Sequence, residues 1–342
     1  MRILLIRTSA LGDVVHTLPV LTALRRHFPE GHIGWVVESS MAPILQGHPD
    51  LDELIPVRFR AWRKRLTKTV TWKEMLQFRR AIRSFQADVV VDLMGNHKAG
   101  AVAALTGCNR RIGFARRSRR EPSSSLWINE GVHPRRLHAV ERALELLEPL
   151  GVPFETPDFQ GSKLFQGAAL GDLQQVLPAP SRPIALLIPG AGWHNKRYPT
   201  DSWGRVATQL RDHGELSVLI PCGPGEEPLS EKIVDASHGA ATNLGLVKLP
   251  ALAALIRRSG IVLGGDTGPI HLAHALGTPV LCTMGPTTPY RHGPYGEADW
   301  AIWQELPCSF CYRRFTSPKA CLQSLSVERV VSRALEILRN LN

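Results

Sequence analysis

The chain has 342 residues, 44% of them apolar, and a formal net charge of +11. That length suits two domains of about 150–170 residues, each able to bury a core, and no stretch approaches the ~20 apolar residues of a membrane-spanning helix. Residues 1–150 hold 24 Lys/Arg against 14 Asp/Glu and residues 151–342 hold 17 against 16, so the first half carries +10 of the total. That asymmetry favours an anionic partner for the first half, with a merely solvated basic surface as the alternative. Aromatic residues interleave too sparsely with the cations for a single-stranded nucleic acid site, so no nucleic acid partner is expected.

The chain opens on an apolar stretch, Met1 to Arg7, which reads as a first buried strand, Ile3–Ile6, rather than a signal peptide. A cytoplasmic protein is expected. The turn Thr8-Ser9-Ala10-Leu11-Gly12-Asp13 follows, then a helix over Val15–Phe28. Gly12 permits a tight exit from the strand. Asp13, at the start of the helix, is either a plain cap or an ionised general base at a cleft rim. His16, about one turn on, is either a partner of Asp13 or a helix-surface histidine. Further strands are expected at Ile33–Val37, Leu54–Val57 and Val89–Leu93, each a continuous apolar run of the kind buried on both faces of a parallel sheet. Two basic clusters fall among loops, Arg58, Arg60, Arg63, Lys64 and Arg65 in one and Arg116, Arg117, Arg119 and Arg120 in the other. Guanidinium groups there suit carboxylates and phosphates.

A Pro/Gly-rich linker is expected over 155–182, including Pro157, Gly171, Pro178 and Pro180. Strands at Ile184–Ile188, Val218–Ile220, Ile261–Leu263 and Val280–Thr283 and a last helix at Val327–Leu341 make the second half a similar α/β unit. Three of its strand ends carry glycine beside a polar group: Gly190-Ala191-Gly192 leading to Lys196, Gly223-Pro224-Gly225-Glu226, and Gly265-Asp266-Thr267-Gly268-Pro269-Ile270-His271. Strand carboxyl ends are where open parallel sheets bind ligands. Glycines let backbone approach phosphate, a helix start offers free N–H groups, Lys196 supplies a compact cation, and a carboxylate can hold ribose hydroxyls. The spacing Cys308-x2-Cys311-x9-Cys321 gives three local metal ligands where a closed zinc site needs four, and His271-x2-His274 lacks a third, so no metal is expected.

The opening Arg7-Thr8-Ser9-Ala10-Leu11-Gly12-Asp13-Val14, Lys196 in its Gly-rich turn and Asp266-Thr267-Gly268-Pro269-Ile270-His271 resemble family-9 glycosyltransferases, the ADP-heptose heptosyltransferases of lipopolysaccharide core synthesis. The resemblance runs from Met1 to about Leu341. Ile55-Pro56-Val57 before Arg60-Ala61-Trp62-Arg63-Lys64, Arg120-Glu121-Pro122 with Ser125-Leu126, and His138-Ala139-Val140-Glu141-Arg142 are most similar to the type I branch.

The resemblance implies a GT-B fold, with two Rossmann-like parallel-sheet domains facing across a cleft. Residues 1–165 would bind the acceptor and 166–325 ADP-heptose, and a helix in 326–342 would return to the first domain. It implies an inverting, metal- and cofactor-independent transfer of heptose to Kdo2-lipid A on the cytoplasmic face of the inner membrane, whose anionic surface is a further partner. Asp13 would be the general base and Lys196 would support the leaving group. Gly190, Ala191, Gly192, Lys196, Glu226 (at the ribose), Asp266, Thr267, Gly268 and His271 would bind the donor. Ser9, Gly12, Arg60, Arg63, Lys64, Lys98, Arg120 and Arg142 would bind the acceptor. Some relatives carry two hydroxyl residues where this chain has Ala191-Gly192, so backbone N–H groups would have to replace those contacts. Other readings are heptosyltransferase II or III acting on a heptose, a nucleotide-sugar epimerase, and a non-catalytic anionic-surface binder. The last leaves the glycine turns unexplained.

Overall fold

Each half of the chain closes its own six-stranded parallel sheet. The structure is a computed structural model that describes residues 1–167 and 182–340, and the chain divides into two units, Met1–Ala168 and Ala169–Asn342. In the first unit β1 (Arg2–Ile6), β2 (His32–Glu38), β3 (Glu53–Val57), β4 (Val89–Asp92), β5 (Arg111–Phe114) and β6 (Glu130–Val132) stand in the order β3-β2-β1-β4-β5-β6. In the second, β7 (Ile184–Ile188), β8 (Ser217–Cys222), β9 (Ala241–Leu246), β10 (Ser259–Gly265), β11 (Val280–Met284) and β12 (Ala301–Trp303) stand in the order β12-β11-β10-β7-β8-β9. Read outward from its first strand, each sheet has one doubly wound plan. The strand order reverses between β1 and β4, and again between β7 and β10.

The eight expected strands are all present. Of the other four, β5, β6 and β9 are broken by Arg111, Gly113, Gly131, Asn243 or Gly245, and β12, Ala301-Ile302-Trp303, is too short to read as an apolar run. Central strands such as β1 and β7 are buried along nearly their whole length, as expected where helices cover both faces. The helix expected over Val15–Phe28 is two helices, Leu11–Val15 and Leu18–His27. Pro19 sits in the first turn of the second, where its missing N–H costs nothing, whereas a continuous helix would place it inside.

Much of the expected linker belongs to the first unit. Arg26 pairs with Asp158 and Lys163 with Asp50 at 2.9 Å. The Phe165 and Gly167 N–H groups donate to Ile44 and Gln46 carbonyls, and Leu164 and Phe165 are buried. Gly171, Pro178 and Pro180 lie outside the described residues.

The last helix, Val327–Arg339, also differs from expectation; Leu341 lies outside the described residues. Its stripe of Val327, Val330, Val331, Ala334 and Ile337 is buried in the second unit's own core with Leu210, Val218 and Ile261. The apolar face of this helix is therefore used within the second unit.

A buried ion pair fixes one strand end of the first unit. Asp92 at the end of β4 meets Arg119, and both side chains are 0% exposed. Asp92 Oδ1 accepts the Met94 and Gly95 N–H groups, while Arg119 donates to Ser124 Oγ and the Phe114 carbonyl. Arg119, expected in a loop cluster, is thus an interior clamp on the segment that carries Arg120. Arg119→Ala strands a buried carboxylate and is expected to cost about 3–5 kcal/mol, measured as a lower urea midpoint. The double change Asp92→Leu/Arg119→Met should cost less, and an equal or greater loss would deny the pair this role.

Candidate functional site

Both charged turns singled out by sequence leave the strands where order reverses, the position at which doubly wound sheets hold ligands. In the first unit β1 runs into Arg7 and Thr8, and the chain then enters the helix Leu11–Val15. Asp13 lies in its first turn. Its Oδ2 accepts the Ala10 N–H at 3.1 Å and its Oδ1 meets Arg7 Nη2 at 2.6 Å, with 43% of the side chain exposed. The cap and the solvent-facing carboxylate therefore coexist in one side chain. Ser9 and Gly12 flank it, and the Ser9–Ala10 peptide is cis. His16 is buried, not on the surface, and packs edge-on against His138.

The neighbouring strand ends assemble a cationic cluster. Lys98 lies beside Phe59, its ammonium 5.1 Å from the ring centre. Burial, opposed by Glu38 and reinforced by Arg60, Arg120 and Arg7, holds Lys98 below its ordinary pKa. Glu38 Oε1 also accepts the Arg60 N–H. Lys98 and three guanidinium groups thus lie near two carboxylates, Glu38 and the Asp13 that pairs with Arg7, an excess of positive charge that attracts an anion. Arg142 stands over Phe114 at 5.7 Å. Arg63 and Lys64 are exposed just beyond Trp62.

In the second unit the turn after β7 and the end of β10 meet directly. Lys196 Nζ lies 2.5 Å from Asp266 Oδ2, His271 Nε2 lies 3.1 Å from Oδ1, and Thr287 Oγ1 donates to Oδ2 at 2.6 Å. Burial alone would raise the Asp266 pKa. The His271 hydrogen bond and the Lys196, His271 and His292 charges outweigh burial and hold it well below the usual carboxylate range. His292 is lowered to about 4, chiefly by burial, with Asp266 opposing. Burial, reinforced by Asp266, pushes the enclosed Cys282 thiol well above its ordinary value. The helix Gly268–Ala275 starts beside this cluster. Thr267 is its N-cap residue but makes no capping bond through its side chain, and the first N–H groups of a helix have no partner within it.

The glycines do more than admit a ligand. A Cβ on Gly190 would lie 2.0 Å from Glu226 Oε1, and one on Gly265 would lie 2.5 Å from the Lys196 carbonyl. Gly190 thereby lets the Glu226 carboxylate, which also accepts the Gly223 N–H at 3.0 Å, reach the first turn. Gly265 lets the Lys196 segment lie against β10. Only Gly192 has open space around its Cα among these three. Ala191 is buried, and its carbonyl accepts from the Arg197 guanidinium.

Several residues escaped the sequence reading. Thr287 and His292 follow β11, a strand end whose Gly285-Pro286-Thr287 turn carries the same signal as the other three. Lys196 and Arg314 both lie over the Trp193 ring, at 4.7 and 4.5 Å. Arg314 arrives from far along the chain because buried Asn195 donates to the Arg313 carbonyl and accepts the Phe315 N–H. The same loop carries Cys308 and Cys311, both exposed, while Cys321 is buried. Burial, reinforced by Cys308 and Cys311, pushes the Cys321 thiol up. His271 stands on Asp266 and His274 against Trp300. Among the described residues no group of three His, Cys, Asp or Glu is placed to hold a metal.

Comparison with known proteins identifies the family and the fold. The family described as Glycosyltransferase family 9 (heptosyltransferase) matches residues 75–321. Lipopolysaccharide heptosyltransferase 1 of Pseudomonas aeruginosa is 32% identical over 316 residues, which cover 92% of this chain and 87% of the relative. The solved E. coli heptosyltransferase WaaC with ADP matches 98% of this chain and 100% of its own at a TM-score of 0.80 and 27% identity. WaaC with ADP-2-deoxy-2-fluoro heptose matches 98% of this chain and 99% of its own at 0.76 and 28%. The two parallel sheets thus have the GT-B fold class that the resemblance implied.

Proposed function

The chain belongs to glycosyltransferase family 9, the heptosyltransferases, and on that premise we propose that it moves heptose from ADP-heptose to the Kdo sugar of Kdo2-lipid A in the lipopolysaccharide inner core. It is a glycosyltransferase. The observation that carries the finer reading is the shared position of its two charged turns, an exposed carboxylate at the reversal point of one sheet and a cation on a buried carboxylate at the other. The relatives solved with ADP and with a fluorinated ADP-heptose analogue support ADP-heptose as donor.

In this reading the sugar–diphosphate bond breaks as a Kdo hydroxyl oxygen attacks the anomeric carbon from the opposite face, inverting it. Asp13 takes the hydroxyl proton, and Arg7 keeps its carboxylate aimed. ADP leaves with its charge held by Lys196 and by the start of the helix Gly268–Ala275. Asp266 and Thr287 position Lys196, and Glu226 holds the ribose. Gly190, Ala191 and Gly192 present backbone to the donor, and Thr267, Gly268 and His271 complete its cradle. Arg60, Lys98 and Arg120, with Arg63, Lys64 and Arg142, receive the carboxylates and phosphates of the acceptor beside Ser9 and Gly12. Charge on the first half further supports peripheral placement at the anionic cytoplasmic face of the inner membrane. No helix among the described residues is long and apolar enough to cross one.

The test is ADP release from ADP-heptose with each acceptor in turn. Kdo2-lipid A is expected to stimulate release strongly, and an acceptor already carrying the first heptose is expected not to. Stimulation only by the heptosylated acceptor would move the chain to type II or III.

A further inference from the structure

Large exposed apolar side chains cluster at one place in the first unit. Leu66 is 52% exposed, Val70 46%, Trp72 55% and Leu76 52%, all within eleven residues. They lie on the helix Thr69–Ser84 and the turn before it. That helix buries Thr71, Phe78 and Ile82 on its inner side, so the core needs none of the four. Trp72 and Leu76 are one turn apart on the outer side. The indole N–H of Trp72 donates to the Leu66 carbonyl at 3.0 Å, which gathers Leu66, Trp72 and Leu76 into one patch and satisfies the ring's polar atom.

Charge surrounds the patch. Residues 63–83 hold eight Lys/Arg (Arg63, Lys64, Arg65, Lys68, Lys73, Arg79, Arg80, Arg83) and one acidic residue, Glu74. Glu74 turns to Arg58 and to the Trp62 indole. Among the described residues none of the eight cations pairs with a carboxylate, and Arg83 donates to the Leu105 carbonyl at 3.1 Å. An outward Trp and Leu ringed by cations matches an anionic bilayer surface: the apolar groups enter the acyl boundary and the cations meet lipid phosphates. A second copy of the chain would bring the same eight positive charges to the contact and be repelled.

We propose that the face formed by Leu66, Val70, Trp72 and Leu76 inserts into the headgroup region of an anionic phospholipid bilayer. This rests on the peripheral placement proposed above and assigns it to one helix. That helix leads out of the segment carrying Arg60, Arg63 and Lys64, so insertion would bring the acceptor-binding cations to the plane where a lipid-anchored sugar lies.

Co-sedimentation of the full chain with vesicles tests the assignment. Wild type is expected to bind phosphatidylglycerol/phosphatidylethanolamine vesicles in a salt-sensitive way and to ignore phosphatidylcholine. Trp72→Ser/Leu76→Ser should weaken partition by about tenfold or more, as expected for withdrawing two large apolar side chains. Leu246→Ser, an equally exposed site in the second unit, should not. Lys68→Glu/Lys73→Glu should flatten the salt dependence. ADP release with a deacylated, water-soluble Kdo acceptor should be unchanged in the Trp72/Leu76 variant, which also shows that it folds. Double-variant binding equal to wild type would overturn the assignment to this helix while leaving membrane placement intact. Absence of wild-type binding to any vesicle would overturn both. Equal binding to phosphatidylcholine, or a dimer in sedimentation velocity that the Trp72/Leu76 variant abolishes, would overturn the anionic-bilayer occupant.

Discussion

Asp13→Asn is expected to lower kcat for heptose transfer about 10²–10⁴-fold, the range for loss of a general base, with donor KM little changed. The substitution separates the two jobs of this side chain. An asparagine oxygen still accepts the Ala10 N–H that Asp13 Oδ2 accepts at 3.1 Å, so the helix start keeps its cap. What disappears is the negative charge beside Arg7 and the capacity to hold the acceptor proton. Asp13→Ala removes cap and base together and should add a stability loss of about 1 kcal/mol. Initial rates of ADP release, with thermal midpoints for both variants, decide the matter. Turnover of Asp13→Asn within tenfold of wild type would assign the proton to another group and leave Asp13 a cap.

Lys196→Met is the second large effect, and it strikes both activity and stability. Lys196 is the cation on a carboxylate only 8% exposed. Its removal leaves Asp266 hydrogen-bonded to His271 and Thr287 without the lysine charge, and a broken buried pair costs about 3 kcal/mol or more. The same change leaves uncompensated negative charge where the diphosphate is proposed to sit. ADP affinity should fall at least about tenfold, and turnover by about 10²-fold or more. Lys196→Met/Asp266→Asn should recover much of the stability and none of the activity, separating the structural from the chemical loss. Recovery of turnover in the double variant would remove Lys196 from the reaction.

The pH dependence follows from the same cluster. Asp266 has its folded pKa depressed, so its contribution is complete above the unfolded carboxylate range and is lost as pH falls below it. His292 and His48 are each lowered from 6.5 to about 4, chiefly by burial. Between those values the unfolded chain binds protons that the folded chain refuses, so stability declines as pH drops from 6.5 toward 4. Lys196→Met removes one cause of the Asp266 depression, so the acid loss carried by this group should be smaller and should end at higher pH. Urea midpoints from neutral pH down through the carboxylate range measure both, and an acid loss as large as that of wild type would deny the coupling.

Continuous apolar runs such as Ile3–Ile6 and Ile184–Ile188 made the central strands legible, because burial on both faces leaves no polar alternation. Edge and near-edge strands such as Glu130–Val132 carry too few apolar residues to register. Asp13, Lys196 and Asp266 were legible because strand-end glycines beside charge are rare in so regular a pattern. That Lys196 and Asp266, 70 positions apart, form one pair was not, since it depends on β7 and β10 lying side by side. Arg119 looked like one more loop cation; only the fold reveals Asp92 beneath it. The last helix declared its period but not its destination.

That destination sets an order of assembly. The first sheet has all its strands once Val132 is made, and its packing is complete by Phe165. The second core waits for Val330, Ala334 and Ile337, far along the chain from β7. Domains fold as units, N-terminal first, during synthesis. A ribosome partway through this message therefore carries a first half free to close and a second half whose core stays open until the helix Val327–Arg339 has emerged.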